Sequence, residues 1–188
     1  MAPIRRAGRA TTIGGEILTW TEAEGTRGTR WREALQRDGT LVRSLLLEVS
    51  AAGRPTRLEM TTAAGLLTLH PEPDESALHG NVVRGDGVDH LAFAWSAEHE
   101  LLILGSPASA TIALRRLADH VGVGATRPID VLRIDDALEP RPARWTAERV
   151  ARHAWHLRTV DGFEERRLTV DDDGRPLLAD ALSWPLET

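Results

Sequence analysis

Short stretches in which apolar and polar residues alternate run along most of the chain, and they predict β-strands. In the stretch Leu41–Ser50, for example, Leu45, Leu47 and Val49 fall on one face. Turn-forming residues such as Asp38-Gly39 interrupt the alternation about every ten residues, which is typical of an antiparallel meander. The predicted strands are Ile13–Thr21, Thr29–Gln36, Leu41–Ser50, Arg57–Thr62, Leu66–His70, Ala77–Arg84, Val88–Trp95, Leu101–Leu104, Ile129–Asp135, Val150–Thr159, Phe163–Val170 and Leu177–Trp184.

One segment has a helical period instead. Over Pro107–Val121 the apolar residues recur at three- and four-residue intervals, and they share one face: Leu114, Leu117, Ala118 and Val121. Ser106 can cap the start of this helix and Pro107 suits its first turn, while Gly122 and Gly124 end it. We therefore predict a mainly β protein with a short helix within 106–121. Residues 1–12 are expected to be flexible, and residues 13–188 to form a single domain.

Composition narrows the possible functions. The 188 residues carry a net charge of −5, which argues against a nucleic-acid partner. The 23 basic residues are all Arg, and Cys is absent, so disulfides and Cys-ligated metals are excluded. Neither a signal peptide nor a transmembrane run is found, and we expect a cytoplasmic protein. Composition leaves the oligomeric state open.

Several short motifs occur in an order that resembles a bacterial family described as glycolipid-binding. These motifs are Pro107-Ala108, Arg115-Arg116-Leu117, Val131-Leu132-Arg133-Ile134, Leu138-Glu139-Pro140 and Leu168-Thr169-Val170-Asp171. The chain departs from the family pattern at Ser109-Ala110, where the family tends to have Thr-Asn. The resemblance implies a lipoprotein-carrier-like fold: a single strongly curved antiparallel sheet forming an open half-barrel, with one or two short helices on its concave side. It also implies an apolar cavity that holds a small amphiphile of glycolipid or fatty-acyl type.

The candidate ligand contacts are aromatic and basic side chains. Trp95 and Trp155 are the tryptophans we expect at a cavity, because each alternates with small residues. Arg133 lies mid-strand on the face of Ile129 and Val131, where a guanidinium suits an anionic head group. Arg116 is the second candidate, at the end of the segment that would plug the barrel. For Arg133 the alternative is a structural ion pair, with Asp130, Asp135 or Glu165.

The histidines offer polar contacts but no metal motif. His70, His79, His90 and His99 are spaced so that one falls on each successive strand, and no compact ligand motif links them. His90 and His153 are the histidines we select as ligand contacts. We expect no metal and no cofactor, and Asp171-Asp172-Asp173-Gly174 is predicted to be a hairpin turn.

These features support three functional hypotheses. The first is a binding protein for a small amphiphile. The second is a cofactor-free enzyme that acts on a small hydrophobic substrate in the same cavity, although no catalytic constellation is found. The third is a protein-interaction domain. A buried, unpaired carboxylate or imidazole in a pocket would favour the enzyme, and an interior filled by the protein's own side chains would favour the interaction domain.

Overall fold

The structure, a computed structural model, describes residues 4–12 and 14–179, and strands dominate it. The strands are β1 (Ile4–Thr11), β2 (Ile17–Gly25), β3 (Gly28–Arg37), β4 (Thr40–Ser50), β5 (Pro55–Thr62), β6 (Gly65–Pro71), β7 (Ala77–Arg84), β8 (Gly87–Ala94), β9 (His99–Ile103), β10 (Thr126–Ile134), β11 (Arg141–Ala151), β12 (Ala154–Thr159), β13 (Glu165–Val170) and β14 (Pro176–Ala179). The helix α1 spans Pro107–Ala118. It is too short to cross a membrane, and no helix of the described residues could do so.

The first eight strands form sheet A, an antiparallel meander in the order of the chain. Tight turns connect its neighbours, as the spacing of turn residues predicts. At the β3–β4 turn, Asp38 and Gly39 both have positive φ, 50° and 75°, which is the geometry of a two-residue hairpin turn. Each strand then directs alternate residues to the inner face of sheet A, where Leu47, Met60 and Leu67 are buried.

The remaining six strands form sheet B, in the order β14-β13-β12-β11-β10-β9. Its one parallel pair is β9 with β10, and α1 supplies the crossover between them. The helix begins as predicted, because Ser106 Oγ accepts a hydrogen bond from Ser109 N at 3.2 Å and Pro107 occupies the first turn. It ends at Ala118, before the predicted Val121, and Asp119 is its C-cap residue.

The hydrophobic core lies between the two sheets. The helix contacts β9 and β14 of sheet B and β3 of sheet A, and Leu114 and Leu117 on its buried face belong to the same cluster as the apolar residues of both sheets. The interior of the half-barrel is therefore filled by α1 and by core side chains. A large open volume lies at one end of the fold.

The mainly β class, the open half-barrel and the helix within 106–121 are confirmed. One detail is corrected: the strands form two hydrogen-bonded sheets, not one. The ladder breaks after β8: the chain leaves sheet A at Trp95, turns at Ala97-Glu98 with His99 N donating to Ser96 O at 3.2 Å, and β9 then pairs with β10 instead of with β8.

Several segment boundaries also differ from the predictions. Residues 4–11, expected to be flexible, form β1, because Gly8 and Ala10 face inward and Gly8 leaves room for the Trp20 indole. The predicted strand Val150–Thr159 is a hairpin of β11 and β12, with a turn at Arg152-His153. The predicted strand Leu177–Trp184 is a strand as far as Ala179, and its remainder lies outside the described residues.

Candidate functional site

An open cleft of about 1020 Å³ lies at one end of the fold. Turns of both sheets surround it: the β2–β3 and β4–β5 turns of sheet A, and the β11–β12 and β13–β14 turns of sheet B. The C-terminal half of α1 forms its floor, because the helix lies between the sheets and Ile112, Leu114 and Ala118 line the cleft.

Apolar side chains from both sheets and from the helix form part of the cleft lining. They are Val49 of β4, Ile112 of α1, Trp155 of β12 and Val170 of β13. The Trp155 indole is largely buried, and the Arg149 guanidinium lies over its ring, 5.4 Å from the ring centroid. All four side chains are largely buried, so only their edges are open to a hydrocarbon or to the apolar face of a sugar.

The rim of the cleft is charged. Arg152 NH2 and His153 Nε2 each lie 3.0 Å from Asp172 Oδ1, so this carboxylate links the β11–β12 and β13–β14 turns. All three side chains are exposed. Asp171 fixes the β13–β14 turn, because its Oδ1 accepts hydrogen bonds from Asp173 N at 2.9 Å and Arg175 N at 2.8 Å. The predicted hairpin turn at 171–174 is therefore confirmed.

A buried carboxylate, Glu22, organises the cations behind this rim. Its Oε2 lies 2.6 Å from Arg175 NH2, and its Oε1 lies 2.9 Å from Arg115 NH1. Arg6 makes a longer contact of 3.5 Å with Glu22 and also approaches Asp173 at 3.7 Å. Arg175 NH1 completes the cluster by contacting Asp173 at 2.5 Å, and this bond lowers the pKa of Asp173. The cluster joins β1, β2, α1 and the β13–β14 turn.

Two tryptophans whose rings meet at a tilt of 35° lie below this ion cluster. Trp20 and Trp31 are buried with their ring centroids 5.4 Å apart. The Arg175 guanidinium lies over Trp20 at 5.8 Å, and that of Arg115 lies over Trp31 at 6.0 Å. Because Arg6 and Arg115 are each about one-third exposed and line the cleft, their guanidinium groups face both the buried Glu22 and the open volume.

At the side of α1 away from this cluster, Arg116 holds the start of β9. It donates to Ala97 O at 2.6 Å and to His99 O at 3.3 Å, and it pairs with the buried Glu100 at 3.3 Å. Burial raises the pKa of Glu100 to about 8, against the opposing effect of Arg116. Arg116 thus contacts the cleft and also has a structural role.

A second buried carboxylate, Glu33, lies at the N-terminus of α1. Its Oε1 accepts a hydrogen bond from Ala108 N at 2.7 Å, which satisfies one of the helix's free amides. Desolvation raises the pKa of Glu33, and the positive charge of Arg43 opposes the shift. Arg43 is itself buried and donates to Leu104 O at 2.7 Å. Glu33 docks the helix on β3 and does not line the cleft.

The structure brings three of the predicted contact residues together in the cleft and places the other three elsewhere. Arg116, Trp155 and His153 all line it. Arg133 pairs with Glu164 at 3.0 Å, next in sequence to the Glu165 considered above. Trp95 is buried and stacks on His99 at a centroid distance of 5.3 Å, and the exposed His90 contacts Asn81 Oδ1 at 2.6 Å. None of these last three lines the cleft.

In the structure, each of the strands β6 to β9 carries one of the four regularly spaced histidines: His70, His79, His90 and His99. His70 and His79 are direct cross-strand neighbours, yet the described residues contain no group of three His, Asp or Glu side chains arranged as metal ligands. Trp184 lies outside the described residues.

Sequence reasoning missed the cluster around Glu22 and the role of Arg149. The cluster's pair of Glu22 and Arg175 joins residues 153 positions apart, so no local spacing could indicate the cluster. Arg149 belongs to a strand. It donates to Ala118 O at the end of α1 and to Val121 O just after it, both at 3.3 Å, and these contacts depend on how sheet B packs on the helix. Two motifs that the sequence analysis did single out, Arg115-Arg116 and Asp171–Gly174, supply residues that line the cleft.

The comparisons with known proteins concern the fold. No protein-family model and no curated protein matches the chain. A crystal structure of a DUF1089 family protein from Pseudomonas aeruginosa is similar to this structure, with a TM-score of 0.59 and 19% sequence identity. The likeness covers 97% of this chain and 91% of that one. At this identity the likeness shows a shared fold alone.

Proposed function

We propose that this protein binds a small amphiphile of glycolipid or fatty-acyl type in the cleft between the two sheets. In this arrangement the hydrocarbon part lies against Val49, Ile112 and the edge of Trp155. The polar head group lies at the rim formed by Arg152, His153 and Asp172. The observation that carries the proposal is the cleft itself, which combines apolar lining side chains with a charged rim.

The size and shape of the cleft support a small-molecule ligand. Ligand pockets commonly enclose about 300–1,000 Å³, and the cleft, at about 1020 Å³, is large enough for a head group and part of an acyl chain. It is open to solvent on one side, so a ligand can enter without any movement of α1. Core side chains fill the interior of the half-barrel, which is the observation expected of an interaction domain, so the amphiphile proposal rests on the cleft alone.

The rim chemistry supports a head group with several hydroxyls or a charge. Arg6, Arg115 and Arg152 present N–H donors, whereas Asp172 and Asp173 present acceptors, and all five residues line the cleft. A polyhydroxylated group needs both kinds of partner, because each hydroxyl donates one hydrogen bond and accepts others. Cations and carboxylates are both present at the rim, which fits a sugar better than a simple anion.

The enzyme hypothesis has less support from the geometry. A catalytic carboxyl with a raised pKa would have to face the open volume. The two carboxyls whose pKa is raised by burial, Glu33 and Glu100, do not line the cleft. Those that do line it, such as Asp172 and Asp173, lie at the exposed rim. Binding without chemistry is therefore the function we infer.

Chemical extraction tests this proposal. Protein purified without detergent is denatured in organic solvent, and the extract is analysed by mass spectrometry. We expect an amphiphile near one molecule per chain. The variant Ala52→Trp, which places an indole in the mouth of the cleft at an exposed turn position, should lose it. The control Ala137→Trp, at an exposed position outside the cleft, should retain it. No amphiphile in wild-type protein, or equal amounts in both variants, would contradict the proposal.

A further inference from the structure

The two edges of sheet A differ in a way that points to self-association. Sheet A begins with β1 and ends with β8, and among the described residues neither strand has a partner on its outer side. An open edge with free backbone groups is a template for pairing with another strand unless charges or proline block it. The β1 edge carries exposed Arg5 and Arg9, whereas β8 has no Arg, Lys or Pro.

The turn between β7 and β8 determines which backbone groups of β8 face its free edge. Gly85 and Asp86 form a two-residue turn, and Arg84 pairs with Gly87 across it. Hydrogen-bonded and non-hydrogen-bonded pairs alternate along an antiparallel ladder. Residues 89, 91 and 93 therefore bond to β7, and the bond from Trp95 N to Ser76 O, 3.1 Å, continues this alternation. The N–H and C=O groups of residues 88, 90, 92 and 94 face outward.

We propose that β8 pairs antiparallel with β8 of a second copy of this chain and so joins two sheets A into one continuous sheet. The register that satisfies all four outward-facing residues places His90 opposite Ala92 and Val88 opposite Ala94 of the second copy. Each larger side chain then meets an alanine, and Leu91 meets its own counterpart at the two-fold axis.

Charge and polarity fit this arrangement. The one carboxylate of β8, Asp89, pairs with Arg84 of its own chain at 2.5 Å, and in this register it faces Phe93 of the second copy. No like charges therefore meet across the junction. The same pairing at β1, through residues 5, 7, 9 and 11, would place Arg9 of each copy opposite Ala7 and diagonal to Arg5 and Arg9 of the other copy, which brings like charges close together. Val83 and Val88, which are cross-strand neighbours and both exposed, would extend their apolar row into the second copy.

Sedimentation of two matched proline variants tests the proposal. Wild-type protein at tens of micromolar should have twice the chain mass of 20.6 kDa. Ala92→Pro removes an outward-facing N–H and leaves the bonds to β7 intact, so it should yield monomer. The control is Ala7→Pro on β1. On β1, Thr12 N donates to Glu16 O at 2.8 Å. Residues that bond to β2 alternate from Thr12 with residues that face outward, so the N–H of Ala7 faces outward. This variant should stay dimeric.

Cross-linking provides a test that does not depend on folding of a proline variant. The chain has no cysteine, so Leu91→Cys introduces a single thiol next to the two-fold axis. Mild oxidation should convert this variant to a disulfide-linked dimer, whereas Val83→Cys, an exposed position on β7, should remain monomeric on a denaturing gel. A wild-type monomer at all concentrations, a dimeric Ala92→Pro, or equal cross-linking of the two cysteine variants would overturn the proposal. Amphiphile binding in the cleft is a separate matter and should be the same in monomer and dimer.

Discussion

The buried carboxylate Glu22 should be the most sensitive charge in the molecule. Its side chain is 1% exposed, and it lies within 3.5 Å of three guanidinium groups, those of Arg175, Arg115 and Arg6. Glu22→Gln keeps the shape of the side chain and removes its charge, so the three cations lose the carboxylate that holds them together. Because Arg175 is only 6% exposed, water cannot readily replace the lost partner.

The expected loss of stability in Glu22→Gln follows from the burial of the ion pairs that Glu22 makes. Removing one partner of a buried ion pair costs about 3–5 kcal/mol, and we expect the lower end, about 3 kcal/mol, because Arg6 and Arg115 are partly exposed and can be rehydrated. For a chain of this length that corresponds to a fall in Tm of roughly 6–12 °C. The matched control is Glu24→Gln. Glu24 lies on the same strand, is 47% exposed and makes one contact of 3.9 Å with Arg6, so its loss should cost less than about 0.5 kcal/mol.

Urea unfolding followed by tryptophan fluorescence measures both variants, because Trp20 and Trp31 lie directly beneath the cluster. Hydrogen exchange adds a local measurement. The amide of Gly174, which donates to Asp171 O at 3.0 Å, should lose protection in Glu22→Gln, because the β13–β14 turn is attached to sheet A through Arg175. If Glu22→Gln is as stable as Glu24→Gln, the cluster does not hold the turn on sheet A and our reasoning about it is wrong.

Three further predictions concern pH, packing and the cleft boundary. Burial raises the pKa of Glu100 to about 8, so the folded state holds a proton that the unfolded state loses, and stability should fall by at most about 4 kcal/mol as the pH rises from 5 to 8. Thermal melts of Glu100→Gln should show a weaker pH dependence, and equal slopes would contradict this. Gly8→Ala would place a Cβ 2.5 Å from the Trp20 ring and should cost about 1–3 kcal/mol, so an unchanged Tm would exclude that packing. Arg133→Met breaks the ion pair with Glu164 and should lower the free energy of unfolding by about 1 kcal/mol. Amphiphile binding should not change. A loss of binding at constant Tm would place the ligand near Arg133 and not in the cleft.

Much of the fold could be predicted from the sequence because its signals are local. Alternation and tight turns determine β3 to β8, and Ser106-Pro107 marks the start of α1. The strand β1 could not be predicted in this way, because its inward positions are Arg6, Gly8 and Ala10, which give no apolar alternation. Its pairing depends on the Trp20 indole occupying the space above Gly8.

The candidate site was predictable only in part. Arg116, Trp155 and His153 were selected for local reasons and do meet in the cleft. Arg133 was selected because a guanidinium is unusual on a buried strand face, but the sequence could not show that Glu164 from a turn would neutralise it. The cleft depends on four turns from two sheets, and the sequence does not reveal which turns will face each other.

The most direct test of the proposed function is a titration with a fluorescent fatty-acyl probe. We predict saturable binding of one probe per chain by the wild-type protein. Ala52→Trp should weaken this binding at least about tenfold, the equivalent of 1.4 kcal/mol, because its indole occupies the cleft mouth, whereas Ala137→Trp should bind like wild type. Probe binding that does not saturate, or that is equally tight in Ala52→Trp, would contradict the assignment of the cleft as an amphiphile site.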